Sequence, residues 1–230
     1  MQAEENSLSR RLAVIRERIA RAAGRTNRDP AGILLLAVTK VFPAAVIRQA
    51  YDLGLRDFGE NYVQEFERKA SEVRSLAGAR FHFIGHLQSN KSASAAELFE
   101  VIQTVDSPKL ARRLDAASKT MAGKPLDVML EVKLAEEEAK SGVPPDQLPE
   151  LVAAVRDCAH LRLLGLMTMP PWSEDAERSR PYFRRLRELA ERHELTQLSM
   201  GMSNDFEVAI EEGASCVRIG TALFGKRRKV

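Results

Sequence analysis

Lys40 closes the run Ile33-Leu34-Leu35-Leu36-Ala37-Val38-Thr39-Lys40, in which seven apolar or β-branched residues lead to one cation. Such a run reads as a fully buried parallel strand that delivers an amine to its C-terminal end. Burial disfavours the ammonium form, so its pKa is expected to fall, enlarging the neutral fraction that attacks a carbonyl to make a Schiff base. The alternative is a lysine that ends a strand and points into water. Two loops near the other end of the chain bear on that choice. Gly201-Met202-Ser203-Asn204 and Gly220-Thr221-Ala222 each offer a glycine, a hydroxyl residue and a helix start after a strand-like run. Glycine lets backbone N–H groups approach an anion, the hydroxyl donates a further hydrogen bond, and the helix N-terminus adds partial positive charge. Together these describe a phosphate cup, and an amine facing it implies a phosphorylated carbonyl ligand. Ser203 and Thr221 serving only as helix caps is the competing reading.

Arg218 narrows the ligand. In Cys216-Val217-Arg218-Ile219-Gly220 a period of two puts Val217 and Ile219 under helices and turns Arg218 inward with Cys216. A buried guanidinium needs an acceptor or an anion, either an inward acid or the ring nitrogen of a pyridine. Beside a permanently protonated arginine that nitrogen stays an unprotonated acceptor, which weakens the ring as an electron sink. This suits a quietly held cofactor or a racemase better than a transaminase. Asn61 either faces the ligand or caps the helix that begins at Tyr62. His82, between Phe81 and Phe83, reads as a satisfied core histidine, and His86 belongs to a polar rim or a plain surface loop. Lys140 follows Glu136-Glu137-Glu138, which keeps it charged and a poor Schiff-base candidate. Four histidines and two cysteines lie scattered without metal spacing, and Cys158 and Cys216 imply no disulfide framework.

The elements that must position these residues alternate along the whole chain. Leu8, Leu12, Ile15 and Ile19 recur at helical spacing after Ser7, so an amphipathic helix opens the chain and ends near Gly24. Strands are predicted near 33–39, 55–59, 80–84, 100–104, 126–132, 162–168, 196–200 and 215–219. Helices are predicted near 44–53, 62–76, 91–98, 107–121, 147–158, 175–194 and 204–212, with a short turn at 221–224. Eight strands alternating with helices specify a (β/α)8 TIM barrel preceded by a helix, with a doubly wound open sheet as the second choice. Thr39-Lys40-Val41-Phe42-Pro43 lacks the G-x-G-x-x-G fingerprint, which weakens a dinucleotide-binding sheet. No Pro/Gly/Ser linker divides residues 1–230, so one domain is expected; Pro144-Pro145 and Pro170-Pro171 punctuate loops.

The 230 residues carry 35 basic and 32 acidic side chains, a net +3 that argues against nucleic acid or a membrane as the main partner. Nothing resembles a signal peptide or reaches the length of a membrane span, so a soluble cytoplasmic protein is expected. Lys226-Arg227-Arg228-Lys229 reads as a solvated basic end.

Five separated segments also carry a family resemblance: Ala37-Val38-Thr39-Lys40, Phe58-Gly59-Glu60-Asn61-Tyr62-Val63-Gln64-Glu65, Phe81 to Lys91, Ser199-Met200-Gly201-Met202-Ser203 and Val217 to Ala222. In order, over about residues 8 to 225, they resemble the YggS/PROSC family of pyridoxal 5'-phosphate (PLP) homeostasis proteins, which is similar to the N-terminal barrel of alanine racemase. The resemblance implies that Lys40 carries PLP as an internal aldimine, that Arg218 faces the pyridine nitrogen, and that Ser203, Gly220 and Thr221 hold the phosphate. It places Asn61 and Met167 near the ring and adds Ser199, Gly201 and Met202 to the cofactor-binding set. It further implies a non-enzymatic, monomeric carrier that buffers PLP and delivers it to apo PLP-dependent enzymes. A racemase on the same barrel is the alternative, and it would need a second base from a further β domain, which is not expected here. A Schiff-base aldolase of phosphorylated sugars is a third reading, disfavoured by Arg218. The chain departs from the family at Thr39, where serine is common, at the apolar Val41-Phe42-Pro43, and at Asn204, often acidic.

Overall fold

The apolar run before Lys40 becomes the first of eight strands: β1 (Leu34–Val38), β2 (Asp57–Glu60), β3 (Arg80–Phe83), β4 (Val101–Val105), β5 (Leu126–Glu131), β6 (Leu161–Met167), β7 (Gln197–Met202) and β8 (Cys216–Ile219). The computed structural model describes residues 2–119, 124–135 and 141–225. The strands pair in chain order and in parallel, and β8 returns to β1 with Arg218 opposite Leu36, closing a barrel. This is the (β/α)8 architecture implied by the alternation, with no open sheet edge. The helices are α1 (Gln2–Arg25), α2 (Ala44–Asp52), α3 (Val63–Val73), α4 (Ser92–Leu98), α5 (Pro108–Ser118), α6 (Leu148–Arg156), α7 (Arg180–Arg192), α8 (Phe206–Glu211) and α9 (Thr221–Phe224).

The pleat sorts side chains into two compartments, because successive residues point to opposite faces of a strand. On β1, Leu35 and Ala37 pack outward against the helices, while Leu34, Leu36 and Val38 join Ile84 and Cys216 in a small cluster within the barrel. The outer compartment is the larger one and includes Phe58, Phe66, Phe81, Phe83 and Phe99 in mutual ring contact. Among the described residues the last strand is followed by the four-residue α9, too short to cover a strand. Helix α1 fills that place: Leu8, Leu12, Ile15 and Ile19 are buried, and the helix lies on α8 and α9. Arg11 donates to the Leu223 carbonyl in α9 at 2.6 Å, and Arg28, just beyond α1, to those of Ile210 and Ala214 at 2.8 Å each, pinning the opening helix and the turn after it to α9 and α8.

Boundaries differ where local chemistry outweighs periodicity. Helix α1 runs through Ser7 instead of starting there. The helix predicted at 175–194 is a 3-10 turn, Ala176–Ser179, begun by Asp175 accepting the Glu177 N–H, followed by α7 with Pro181 in its first turn. Strand β7 continues past residue 200 to Met202, which carries Gly201 inside the strand. Met121, at the end of the predicted 107–121 helix, lies outside the described residues, as do Lys140 and Lys226 to Lys229.

Candidate functional site

The alternation that buries Leu36 and Val38 inside the barrel brings Lys40, two residues further on, to the C-terminal mouth. A cavity of about 530 Å³ opens there, lined by Lys40, Asn61 and Arg218 together with Met202, Ser203, Gly220 and Thr221. Strands β1, β2, β7 and β8 therefore bring residues from the two ends of the chain to one cavity. In a parallel barrel the βα loops make this end the site of chemistry.

Arg218 is 3% exposed. Its two terminal nitrogens donate to the Ser199 hydroxyl and the Thr168 carbonyl, both at 2.8 Å, so these partners are neutral. Burial pushes its pKa down from the ordinary guanidinium value, against the opposing pull of Asp205 and Glu131. Among the described residues it makes no ion pair, which leaves a largely uncompensated cation in the wall of the cavity. Cys216, on the same strand face, is held as a thiol, pushed up to about 11 by burial. Ser199 is fully buried beneath Arg218, and its hydroxyl donates a hydrogen bond to Gln103 Oε1 at 2.6 Å. Gln103 Nε2 donates to His82 Nδ1 at 3.0 Å, and His82 Nε2 donates to Asp57 Oδ1 at 2.9 Å. His82 is thus a satisfied interior histidine that accepts at Nδ1 and donates at Nε2, the tautomer its two neighbours require.

The two glycine loops are stitched together. Ser203 Oγ accepts the Ala222 N–H at 3.1 Å, across to the first turn of α9. Neither hydroxyl caps its own helix: α8 starts after Asp205 and α9 has Thr221 as its first residue, both without a side-chain cap. The two glycines have different causes. Gly201 has φ +88°, and a Cβ there would lie 2.5 Å from Ala209 Cβ and 2.9 Å from Phe206 Cα, so it exists for backbone shape and close packing of α8. A Cβ at Gly220 would meet nothing nearer than Val38 at 3.5 Å, leaving bare backbone on the cavity wall. Met167 is fully buried in β6, and Met169, two residues on, reaches the cavity.

Asn61 faces the cavity, and α3 takes Tyr62 as its N-cap without a side-chain bond. Asn61 Oδ1 is buried and has no hydrogen-bond partner. An orphaned acceptor beside an amine, next to an unpaired cation and bare backbone, fits a small polar ligand that carries an anion and a ring acceptor. Several lining residues have no signal in the local sequence. Asp205 accepts the Met202 N–H at 2.7 Å and the Ser179 hydroxyl at 2.8 Å, fixing the loop after β7. Asn204 donates to the Ser173 carbonyl at 2.8 Å and so draws Trp172, 75% exposed, to the rim. The Pro170-Pro171 pair was the one hint of a shaped loop there. Phe42 lines the entrance and packs on Phe224, ring centroids 5.2 Å apart. His86 stands outside the lining, its side chain 61% exposed. Among the described residues no three acidic, histidine or cysteine side chains group as metal ligands, and no helix is long and apolar enough to cross a membrane.

Residues 11–228 match the family model of the alanine racemase N-terminal domain. A pyridoxal phosphate homeostasis protein of Pseudomonas aeruginosa is 46% identical over 225 residues, 96% of each chain. Proteins with the same name from Aquifex aeolicus and Escherichia coli K12 are 44% and 43% identical, over 95% and 96% of this chain and 97% of each of theirs. Among solved structures, PipY of Synechococcus elongatus is 37% identical and covers 95% of this chain and all of its own, with TM-scores of 0.83 without PLP and 0.81 with PLP bound. Alanine racemase from Corynebacterium glutamicum, 17% identical with a TM-score of 0.68 over 95% of this chain and 60% of its own, shares the fold. The chain belongs to the family of pyridoxal phosphate homeostasis proteins built on the alanine racemase N-terminal domain.

Proposed function

We infer that this chain binds PLP covalently through Lys40 and takes part in PLP homeostasis without catalytic turnover. The observation that carries this reading is the convergence, on one cavity, of the Lys40 amine, the buried Arg218 cation and the orphaned Asn61 Oδ1. PLP supplies an aldehyde that condenses with a primary amine and releases one water. The barrel places the Lys40 amine at the mouth, where the hydrophobic Val38 and Ile84 exclude water from one side. Arg218, oriented by Ser199 and the Thr168 carbonyl, donates toward a ring acceptor and leaves it unprotonated. Ser203, Thr221 and the bare backbone of Gly220 hold the phosphate, with Met202 and Gly201 setting the loop that carries Ser203. Asn61 Oδ1 accepts from a ring substituent, while Met167 and Ser199 support the floor.

Absence of turnover is supported by the lining itself. Lys40, Asp205 and Arg218 are its titratable members among the described residues, and Asp205 is engaged by two donors, the Met202 N–H of its own loop and the Ser179 hydroxyl of the preceding βα loop. Among the described residues that line the cavity, none beyond Lys40 itself and the engaged Asp205 could act as a general base. The name shared by the curated relatives agrees with a carrier. On this reading the protein acts as a single-domain monomer in the cytoplasm, and apo PLP-dependent enzymes take up the cofactor from it.

The test is the absorbance of purified protein titrated with PLP, followed by borohydride and peptide mapping. A yellow protein with the reduced adduct on Lys40, abolished by Lys40→Ala, is the expected result; colourless protein that takes up no PLP overturns it. Steady inversion of a single-enantiomer amino acid would replace the carrier reading by a racemase.

A further inference from the structure

The turn that carries Lys40 is held from behind by a second lysine. Lys69, on α3, is 7% exposed. Its ammonium lies 2.8 Å from Glu60 Oε1 and 3.0 Å from Glu65 Oε1, and it donates to the carbonyls of Thr39 at 3.2 Å and Phe42 at 3.0 Å. The same two carboxylates take the other donors of the turn: the Thr39 hydroxyl donates to Glu60 at 2.6 Å, and the Val41 N–H donates to Glu65 at 2.6 Å. Because Thr39 lies on the outward face of its strand and Lys40 on the inward one, the cluster sits on the far side of the barrel wall from the cavity.

Two features show that the turn needs holding. Val41 has φ +64°, the left-handed region, where a β-branched residue is strained and persists only if its surroundings over-determine it. Val41 is also 52% exposed, so its side chain gains little from packing there. The cluster is in turn a costly one. Glu60 is fully buried, its Oε2 has no partner, and burial pushes its carboxyl up against the pull of Lys69 and Thr39. A buried ion cluster of this kind is poor value for stability when an apolar replacement would serve. Its geometric output is the path of residues 39–42.

The structure assigns to Lys69, with Glu60 and Glu65, the role of a positioning clamp that holds the strained 39–42 turn so that Lys40 enters the cavity. The assignment rests on Lys40 being the attachment residue. The clamp touches the backbone on both sides of Lys40, so it acts through the turn and not on the ligand.

The experiment compares Glu65→Ala and the charge-balanced pair Lys69→Met with Glu60→Gln, each with and without Val41→Gly, in the full chain. Glu65 is partly exposed, so its variant keeps the question open if the buried pair fails to fold. The first readout needs no cofactor: the acetylation rate of Lys40 relative to the exposed Lys109, by mass spectrometry on apo protein. The second is the rate of covalent PLP uptake. With Val41 present, loss of the clamp is expected to move the Lys40 labelling ratio toward that of Lys109 and slow uptake by on the order of tenfold. With Val41→Gly, which adopts positive φ without strain, the same changes should cost about threefold or less. Lower melting temperatures with unchanged labelling and uptake, or equal losses in both backgrounds, would overturn the clamp. If the parent chain takes up no PLP, the carrier reading fails while the labelling arm still decides the clamp.

Discussion

Gly201 and Gly220 occupy matching places in the two loops of the cup, yet they should respond oppositely to one methyl group. Gly201→Ala must place a Cβ 2.5 Å from Ala209 in a backbone with φ +88°, so overpacking and backbone strain add. A loss of about 3 kcal/mol is expected, seen as a lower urea midpoint with unchanged slope. Gly220→Ala meets only ordinary contacts, the nearest at 3.5 Å, and should keep stability within about 1 kcal/mol. Its methyl fills the wall against which the phosphate is proposed to rest, so PLP affinity should fall by about tenfold, or about 1.4 kcal/mol, in a spectroscopic titration. Full retention of PLP by Gly220→Ala would remove Gly220 from the cup. From sequence the two glycines are indistinguishable, because the difference lies in partners five to eight residues along for one and on the neighbouring strand β1 for the other. Ser203 shows the same limit. Cap patterns are short-range, and its hydroxyl serves an N–H nineteen positions away on the neighbouring unit. Lys40 and Arg218 were legible because strand parity alone sends them to the barrel interior.

At the scale of elements, period-two and 3.6-residue patterns foretold eight strands and the helices between them, and the missing knowledge was which helix covers which strand. The sequence shows α1 as amphipathic but not that it takes the place left by the four-residue α9. That position puts Ile15, 2% exposed, into the large hydrophobic core that surrounds the barrel. Ile15→Ala should cost about 3 kcal/mol, a value typical of a large-to-small change in a core, and far more than an isolated leading helix would register. A second element-scale effect lies at the end of β5, where Glu131 is 3% exposed and accepts from Ser141 at 3.1 and 3.2 Å. Burial pushes its carboxyl above the ordinary range, with Asp106 adding to the shift and Ser141, Arg218 and His86 opposing it. The folded state therefore binds this proton more tightly than the unfolded chain, so the contribution of Glu131 is fully present below the unfolded pKa and is lost as pH rises through the folded one. Glu131→Gln keeps the acceptor for Ser141 and removes the charge. It should raise the melting temperature by about 2 °C at pH 7, and the gain should vanish as pH falls toward the ordinary carboxylate range. A deficit at pH 7 would show that the carboxylate is held there for another purpose.

The molecule as a whole is organised around two interiors of opposite character. Leu36, Val38, Ile84 and Cys216 form an apolar cluster in the barrel lumen, while Asp57, His82, Gln103, Ser199 and Arg218 run through it as a single hydrogen-bonded chain from the N-terminal end of β2 to the ligand cavity. Gln103 is its middle link, and both ends of the amide are committed, to Ser199 and to His82. Gln103→Leu conserves volume but orphans the Ser199 hydroxyl and His82 Nδ1 at once. Each buried orphan costs about 1–3 kcal/mol, so a loss of about 2–5 kcal/mol is expected in denaturant unfolding. Ser199→Ala alone orphans Gln103 Oε1 and removes one acceptor from Arg218. When the two changes are combined, the Ser199–Gln103 bond no longer has an unsatisfied side, and the joint cost should fall below the sum by about 1 kcal/mol. The cavity reads the same chain from its other end. Arg218 in the Ser199→Ala protein keeps only the Thr168 carbonyl to orient it, so the absorbance of bound PLP should shift along with the loss of stability. Strict additivity, with an unshifted spectrum, would mean that the chain is a set of independent contacts and that the barrel floor and the cavity are mechanically separate.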